Sequence, residues 1–347
     1  MTTAGTAWPP LRAENVSTVF GNTDGVLGCL TTDGQLCITQ FDQDGVPSFH
    51  PQGTTNSPKL SHIAIDGAGR IAIILLQQTP SLTPATVEIH EFASIAELLT
   101  WFFDPTGTVD PSSPEHRGNP YVQPGWSRRQ YKHPKHFSLP GTAQDLQAGA
   151  TFFTLLLTSG QLFTWGDARH HHCLGREPSA TAPSSPSSST SSLPLSPSAG
   201  PATEPALVDA LDGVPIAKIA CGGWITAALS RDRDLYLLGR SPPCQQQGRQ
   251  GIAALPNPLE GEMMKLVDID GVLNVLDVGV GTGHVVALVE GALGPRLFAV
   301  GDNSNGQLGL GADAKGFVSR WTEARLPRGE IRNVVCGPLN TFLLVEK

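Results

Sequence analysis

"GDNSNGQLGLG" runs from Gly301 to Gly311, with four glycines, two asparagines and an aspartate. Three readings compete: a phosphate cradle, a calcium loop, or a turn between strands. An EF-hand loop counted from Asp302 wants a ligand at its fifth position and glycine at its sixth. Here those positions are Gly306 and Gln307, and the twelfth is Asp313 rather than a bidentate glutamate. The upstream "GVGTGH" (Gly279–His284) lacks the third glycine of a dinucleotide fingerprint. No P-loop lysine or helical pattern follows either segment. A turn remains, because glycine admits positive φ in tight connections.

The turn recurs because the chain repeats itself. An anchor glycine opens each unit: Gly149, Gly222, Gly281 and Gly337. From each of the first three, an apolar pair follows (Leu155-Leu156, Ala228-Leu229, Ala287-Leu288), and then a second glycine (Gly166, Gly239, Gly301). The extra residues of the Gly281 unit fall in "EGALGP", where a hairpin turn tolerates insertion. Two weaker units precede these, at Gly25–Phe41 and Ala64–Leu76. Six units are therefore detectable. The long first interval holds residues 177–205, a Ser/Pro-rich stretch almost free of charge, which predicts a disordered insertion.

Composition agrees with a strand-rich chain. Glycine (38) and proline (29) are abundant while only 16% of residues are charged, a pattern of many turns and little exposed helix. Each unit reads as short apolar strands that cannot bury both faces alone. Stacking units radially around an axis solves this, so the chain is read as an all-β propeller. The last unit ends after one recognisable strand, and Thr6–Val19 is expected to complete that blade and close the ring. "ASIAELLTWFF" (Ala93–Phe103) departs from the pattern. Ser94 and Glu97 have capping-box spacing before an apolar run, which predicts a short helix.

The pattern carried by Cys221-Gly222-Gly223 with Thr226, Leu235-Tyr236 with Gly239, Gly281–His284 and Gly301-Asp302-Asn303 resembles the RCC1 repeat, named for the regulator of chromosome condensation. Gly306-Gln307-Leu308-Gly309, Gly160-Gln161-Leu162 and Trp165-Gly166-Asp167 belong to the same set. The resemblance covers 145–347 and is faint from 20 to 92. "GDARHHHCLGRE" (Gly166–Glu177) resembles a variant of divergent fungal, alpha-tubulin-suppressor-like members. WD repeats have a shorter period, about 40–45 residues, and the double-glycine pattern of kelch repeats does not recur. The resemblance implies one seven-bladed propeller domain over 1–347, with a degenerate blade in 90–140; the segment 93–140 is otherwise irregular.

Functional candidates are few. "HHHC" (His170–Cys173) lacks a second Cys/His group at zinc spacing and aligns with a variable loop. His284 reads as a buried, hydrogen-bonded imidazole, and Cys221 and Cys336 as small packing residues before the anchors. "GWSRRQYKHPKHF" (Gly125–Phe137) is the one concentrated basic stretch. It makes Trp126, Arg128, Arg129, Tyr131, Lys132 and Lys135 the candidate partner contacts.

The net charge of −8 disfavours nucleic acid. The longest aliphatic run, Ile71–Leu76, is too short to span a bilayer. No secretory h-region opens the chain and its six cysteines form no C-x-x-C pair. A monomer of the cytoplasm or nucleus is expected. With no nucleophile–base–oxyanion set and no cofactor motif, the expectation is a non-enzymatic protein-interaction scaffold whose partner is another protein. The resemblance implies an alternative, guanine-nucleotide exchange on a small GTPase. The basic stretch supplies another, chromatin association.

Overall fold

A computed structural model describes residues 15–22, 25–41, 47–53, 57–76, 85–103, 134–179, 200–241, 251–257, 260–269, 271, 274–311, 314 and 316–346. The chain divides into two compact units, Met1–Ile65 with Gly69–Pro140, and Asp66–Ala68 with Gly141–Lys347.

The first unit holds two four-stranded sheets. One is β1 (Val16–Asn22), β2 (Gly25–Thr31), β3 (Leu36–Phe41) and β4 (Pro47–Pro51). The other is β5 (Leu60–Ile65), β6 (Ile71–Leu75), β7 (Thr86–Phe92) and β8 (Lys135–Pro140). The second unit holds three more: β9 (Ala143–Ala148), β10 (Phe152–Leu157), β11 (Leu162–Gly166) and β12 (Ala206–Leu207); β13 (Ile216–Gly222), β14 (Ile225–Ser230), β15 (Leu235–Gly239) and β16 (Met264–Leu266); β17 (Val275–Val280), β18 (His284–Val289), β19 (Arg296–Asp302) and β20 (Phe317–Ala324). It ends in a pair, β21 (Glu330–Cys336) with β22 (Thr341–Glu346). Every sheet is an antiparallel meander in chain order, which is the blade of a propeller.

The six detected units map onto these six sheets. The second strand of a blade is buried along its whole length in β10, β14 and β18. The reason is its two-residue period. In β14, Ile225, Ala227 and Leu229 enter the core shared with the β17–β20 blade, while Ala228 enters the core shared with the β9–β12 blade. In β18, Val285, Ala287 and Val289 face one way and Val286 and Leu288 the other. Each strand thus feeds two cores, and each residue buried there contributes roughly 1.5–3 kcal/mol if large and apolar.

In the first unit the core lies between its two sheets and is extended by α1 (Ile95–Phe103). The helix starts where capping predicts. The Glu97 N–H donates to Ser94 Oγ at 3.3 Å, and Glu97 Oε2 accepts from the Ala93 N–H at 2.9 Å. Leu98, Leu99, Trp101 and Phe102 then join the core that holds Phe20, Ile73 and Phe92.

The structure corrects three expectations. Lys135–Pro140 is not irregular but is the fourth strand of the second sheet, paired with β7 from Glu91↔Lys135 to Thr86↔Pro140. Val16–Val19 does not complete the last blade. It pairs with β2 in the first sheet, where Val19 faces Cys29, while Thr6–Glu14 lies outside the described residues. The last blade has two strands among the described residues, and Val335, Phe342 and Leu344 on one of its faces are 50–63% exposed. At the end of the Ser/Pro-rich stretch, Gly200–Pro205 is ordered. The buried Arg176 guanidinium donates to the carbonyls of Gly200, Pro201, Glu204 and Thr164. Residues 180–199 lie outside the described residues.

Backbone approach at the anchors yields a stability prediction. A Cβ on Gly222 would strike Gly281 O and lie 2.6 Å from Val280 O. Gly222→Ala should therefore lose more than about 3 kcal/mol in urea unfolding. Gly213→Ala, at φ 83 with open space around it, should lose only the left-handed penalty of about 1–2 kcal/mol. Equal losses would contradict the packing argument.

Candidate functional site

The repeat glycines fall into two kinds. Gly149, Gly222 and Gly281 end or follow the first strand of a blade, and each leaves no room for a side chain against the next blade. A Cβ on Gly149 would sit 2.8 Å from Gly223 O, one on Gly222 would meet Gly281 O, and one on Gly281 would lie 2.7 Å from Gly337 O. The same turns are hydrogen-bonded blade to blade: the Ala150 N–H donates to Gly223 O at 2.5 Å and the Thr282 N–H to Pro338 O at 3.2 Å. Gly337 is crowded by its own turn, against Asn340 Oδ1. Gly166 and Gly239 end the third strand and Gly301 is its last residue but one; all three press on carbonyls of their own blade, Thr151 O, Trp224 O and Gly283 O.

The 301–311 loop is held by its own polar side chains. Asp302 accepts from the Ser304 N–H at 3.0 Å and from Gln307 Nε2 at 3.1 Å, and the buried Asn303 accepts from the Leu308 N–H at 2.9 Å. Gly306 and Gly309 adopt φ of 79° and 67° with open space around them, so they serve the turn and not a close approach. Thr341 donates to Gln307 O at 2.8 Å, tying the loop to the next blade. The loop is thus a turn whose polar atoms are spent internally.

His284 is fully buried, with Nε2 3.1 Å from Thr341 Oγ1. Burial drives its pKa down to about 4, with the nearby Asp302 opposing. Cys221 and Cys336 occupy equivalent places, 3.4 and 3.5 Å from the hydroxyls of Thr226 and Thr341. Burial pushes both thiols up to about 11, away from nucleophilic use.

Of the basic stretch, Trp126, Arg128, Arg129, Tyr131 and Lys132 lie outside the described residues. Lys135 is on β8, with its ammonium 3.0 Å from Glu91 Oε1. The histidines of "HHHC" sit on a 3₁₀ segment, Ala168–Leu174, capped by Asp167, whose side chain accepts from the Arg169 N–H. Cys173 points inward, fully buried against Phe152.

The sequence reading missed a polar row on the first strands. Lys218 Nζ lies 2.5 Å from Asp277 Oδ1 and 3.0 Å from Asn333 Oδ1, joining three successive blades. Asp277 also accepts from the Val334 N–H at 2.7 Å. The signal was present. Lys218, Asp277, Asn333 and Asp145 all stand at the same offset before an anchor glycine, and each of these strands carries a register shift there.

Connections differ between the two ends of the second unit's blades. One end carries the anchor turns and the third-to-fourth-strand connections, which run from Gly166 to Ala206, Gly239 to Met264 and Asp302 to Phe317. The other end carries tight hairpins at Thr158–Gln161 and Arg231–Asp234. The long connections therefore gather on one end. Among the described residues no group of three or more His, Cys, Asp or Glu side chains could hold a metal ion.

Comparison with known proteins bears on the same region. Residues 159–229 match the family model of the regulator of chromosome condensation (RCC1) repeat. The chain is 28% identical over 242 residues to RCC1 domain-containing protein 1 of Mus musculus, covering 58% of this chain and 55% of that protein. It is 24% identical over 245 residues to RCC1 domain-containing protein 1 of Homo sapiens, covering 59% of this chain and 57% of that protein. The chain thus spans about half the length of the curated relatives it matches. Among solved structures, yeast RCC1 (Prp20) bound to Kap60 superposes with a TM-score of 0.51 at 16% identity, covering 90% of this chain and 63% of that one. That likeness is one of fold.

The buried imidazole sets a pH dependence. His284 titrates lower folded than unfolded, so between pH 6.5 and about 4 the unfolded chain binds more protons. Its contribution is complete above pH 6.5 and is lost as pH falls toward 4. The unfolding free energy of wild type from urea titration should drop across this window more steeply than that of His284→Gln, by on the order of a few kcal/mol at most. Parallel profiles would show that the imidazole is not held neutral.

Proposed function

We propose that this chain, an RCC1-repeat protein, is a protein-interaction scaffold that grips its partner with the end of the blades bearing the long connections. One observation carries the reading: the anchor turns are packed and hydrogen-bonded blade to blade, so the loops beside them are displayed on a rigid frame. A rigid frame at the base of the loops lowers the ordering cost of binding, which suits protein recognition. The tight hairpins at the opposite end offer little reach. The Kap60 complex of yeast RCC1 is an instance of binding by a protein of the same fold.

A photo-crosslinking residue separates the two ends. Placed at the exposed Asn305, it should capture a specific protein in the chain's own cells. Placed at the exposed Ser159 on the opposite hairpin, it should capture none. Capture only from Ser159, or no specific capture from any long connection, would overturn the proposal.

A further inference from the structure

The β13–β16 blade breaks a rule that its neighbours keep. The residue after the third-strand glycine is Asp167 in one blade and Asp302 in another, and each accepts from a loop N–H two residues on. In the β13–β16 blade that position is Arg240. A local departure from a repeat's own pattern is expected at functional or strained positions.

Arg240 is set in place by the repeat geometry. Its N–H donates to Trp224 O at 3.1 Å, and its guanidinium carbon lies 4.9 Å from the centre of the Trp224 ring. On the same indole, the His170 ring stands edge-on with centroids 4.5 Å apart. His172 lies 6.2 Å from His170, and burial, then the charge of Arg240, hold its pKa below the ordinary value. Three nitrogens of this cluster are buried without a hydrogen-bond partner among the described residues: Arg240 Nε, His170 Nδ1 and His172 Nε2. Asp167, the acid of the adjoining loop, is already engaged by Arg169 through Nε at 3.0 and 3.1 Å and Nη2 at 2.6 Å. The cluster thus sets the Arg240 cation beside two imidazoles against an indole wall, in a chain whose net charge is −8.

We propose that Arg240, Trp224, His170 and His172 form a binding site for an oxyanion, carboxylate or phosphate, carried on a peptide of the partner protein. An arginine is suited to either group, and an anion there would satisfy the orphaned nitrogens. The aromatic wall would cover the apolar stem of the bound residue. The cluster lies on the end with the long connections, so the proposal deepens the scaffold reading and rests on it.

The test uses the full chain with histidine labelled at Cε1 and inorganic phosphate as probe, against chloride at equal ionic strength. The His170 and His172 resonances, assigned with His170→Gln and His172→Gln, should shift saturably with phosphate while those of His62 and His136 do not. Arg240→Gln should weaken the apparent affinity by about tenfold or more. Acetate in a parallel titration decides between carboxylate and phosphate. No saturable shift with either anion, a uniform shift of all histidines, or wild-type affinity in Arg240→Gln would overturn the site. Specific capture from Asn305 without anion binding would sink this proposal and leave the scaffold reading standing. Anion binding without partner capture from any long connection would leave an anion site but overturn both the scaffold reading and the claim that a partner's peptide supplies the anion.

Discussion

The architecture of the second unit depends on how closely one blade's backbone approaches the next at the anchor turns. A Cβ on Gly149, Gly222 or Gly281 would fall within 2.8 Å of a carbonyl oxygen of the next blade, and on Gly149 and Gly281 it would also strike the Phe152 and His284 rings. Three of the recurrent glycines are therefore recurrent for want of space. This is a different cause from that of Gly306 and Gly309, which turn the chain in the open. Both kinds look identical in the sequence, and only the neighbouring blade tells them apart.

Close approach at the turns is complemented by polar contacts along the first strands. Gln147 donates to Ile219 O at 3.1 Å and accepts from the Cys221 N–H at 2.9 Å, and the Lys218–Asp277–Asn333 row carries the stitching across two further blades. Buried polar groups need partners, and here each blade finds them on the next. Apolar cores between the blades stand beside this polar row, and burial of their side chains adds to the adhesion.

The central strands were readable because a strand buried on both faces is an unbroken apolar run, as in "FFTLLL" and "HVVALV". Outer strands gave no such signal. β8 alternates exposed and half-buried residues, and β12 is two residues long, so neither stands out from a loop. The helix at Ile95–Phe103 was legible through its cap and its apolar run. The Arg240–Trp224–His170–His172 cluster was not. It joins residues from a strand end, a turn and a 3₁₀ segment, and only the fold brings them to one indole. The Ser/Pro composition, likewise, could not show that Gly200–Pro205 is held.

Arg176 is the reason for that last point, and it has a bearing on how such chains diversify. One guanidinium gathers carbonyls from both sides of the stretch, so the strands on either side are fastened whatever lies between Ser179 and Gly200. Once the ends are pinned, doubling the intervening length costs only about 0.6 kcal/mol of closure entropy. The clasp turns this position into a docking port for evolutionary grafts, where whole sequences can be gained, lost or exchanged without the blade registering the difference.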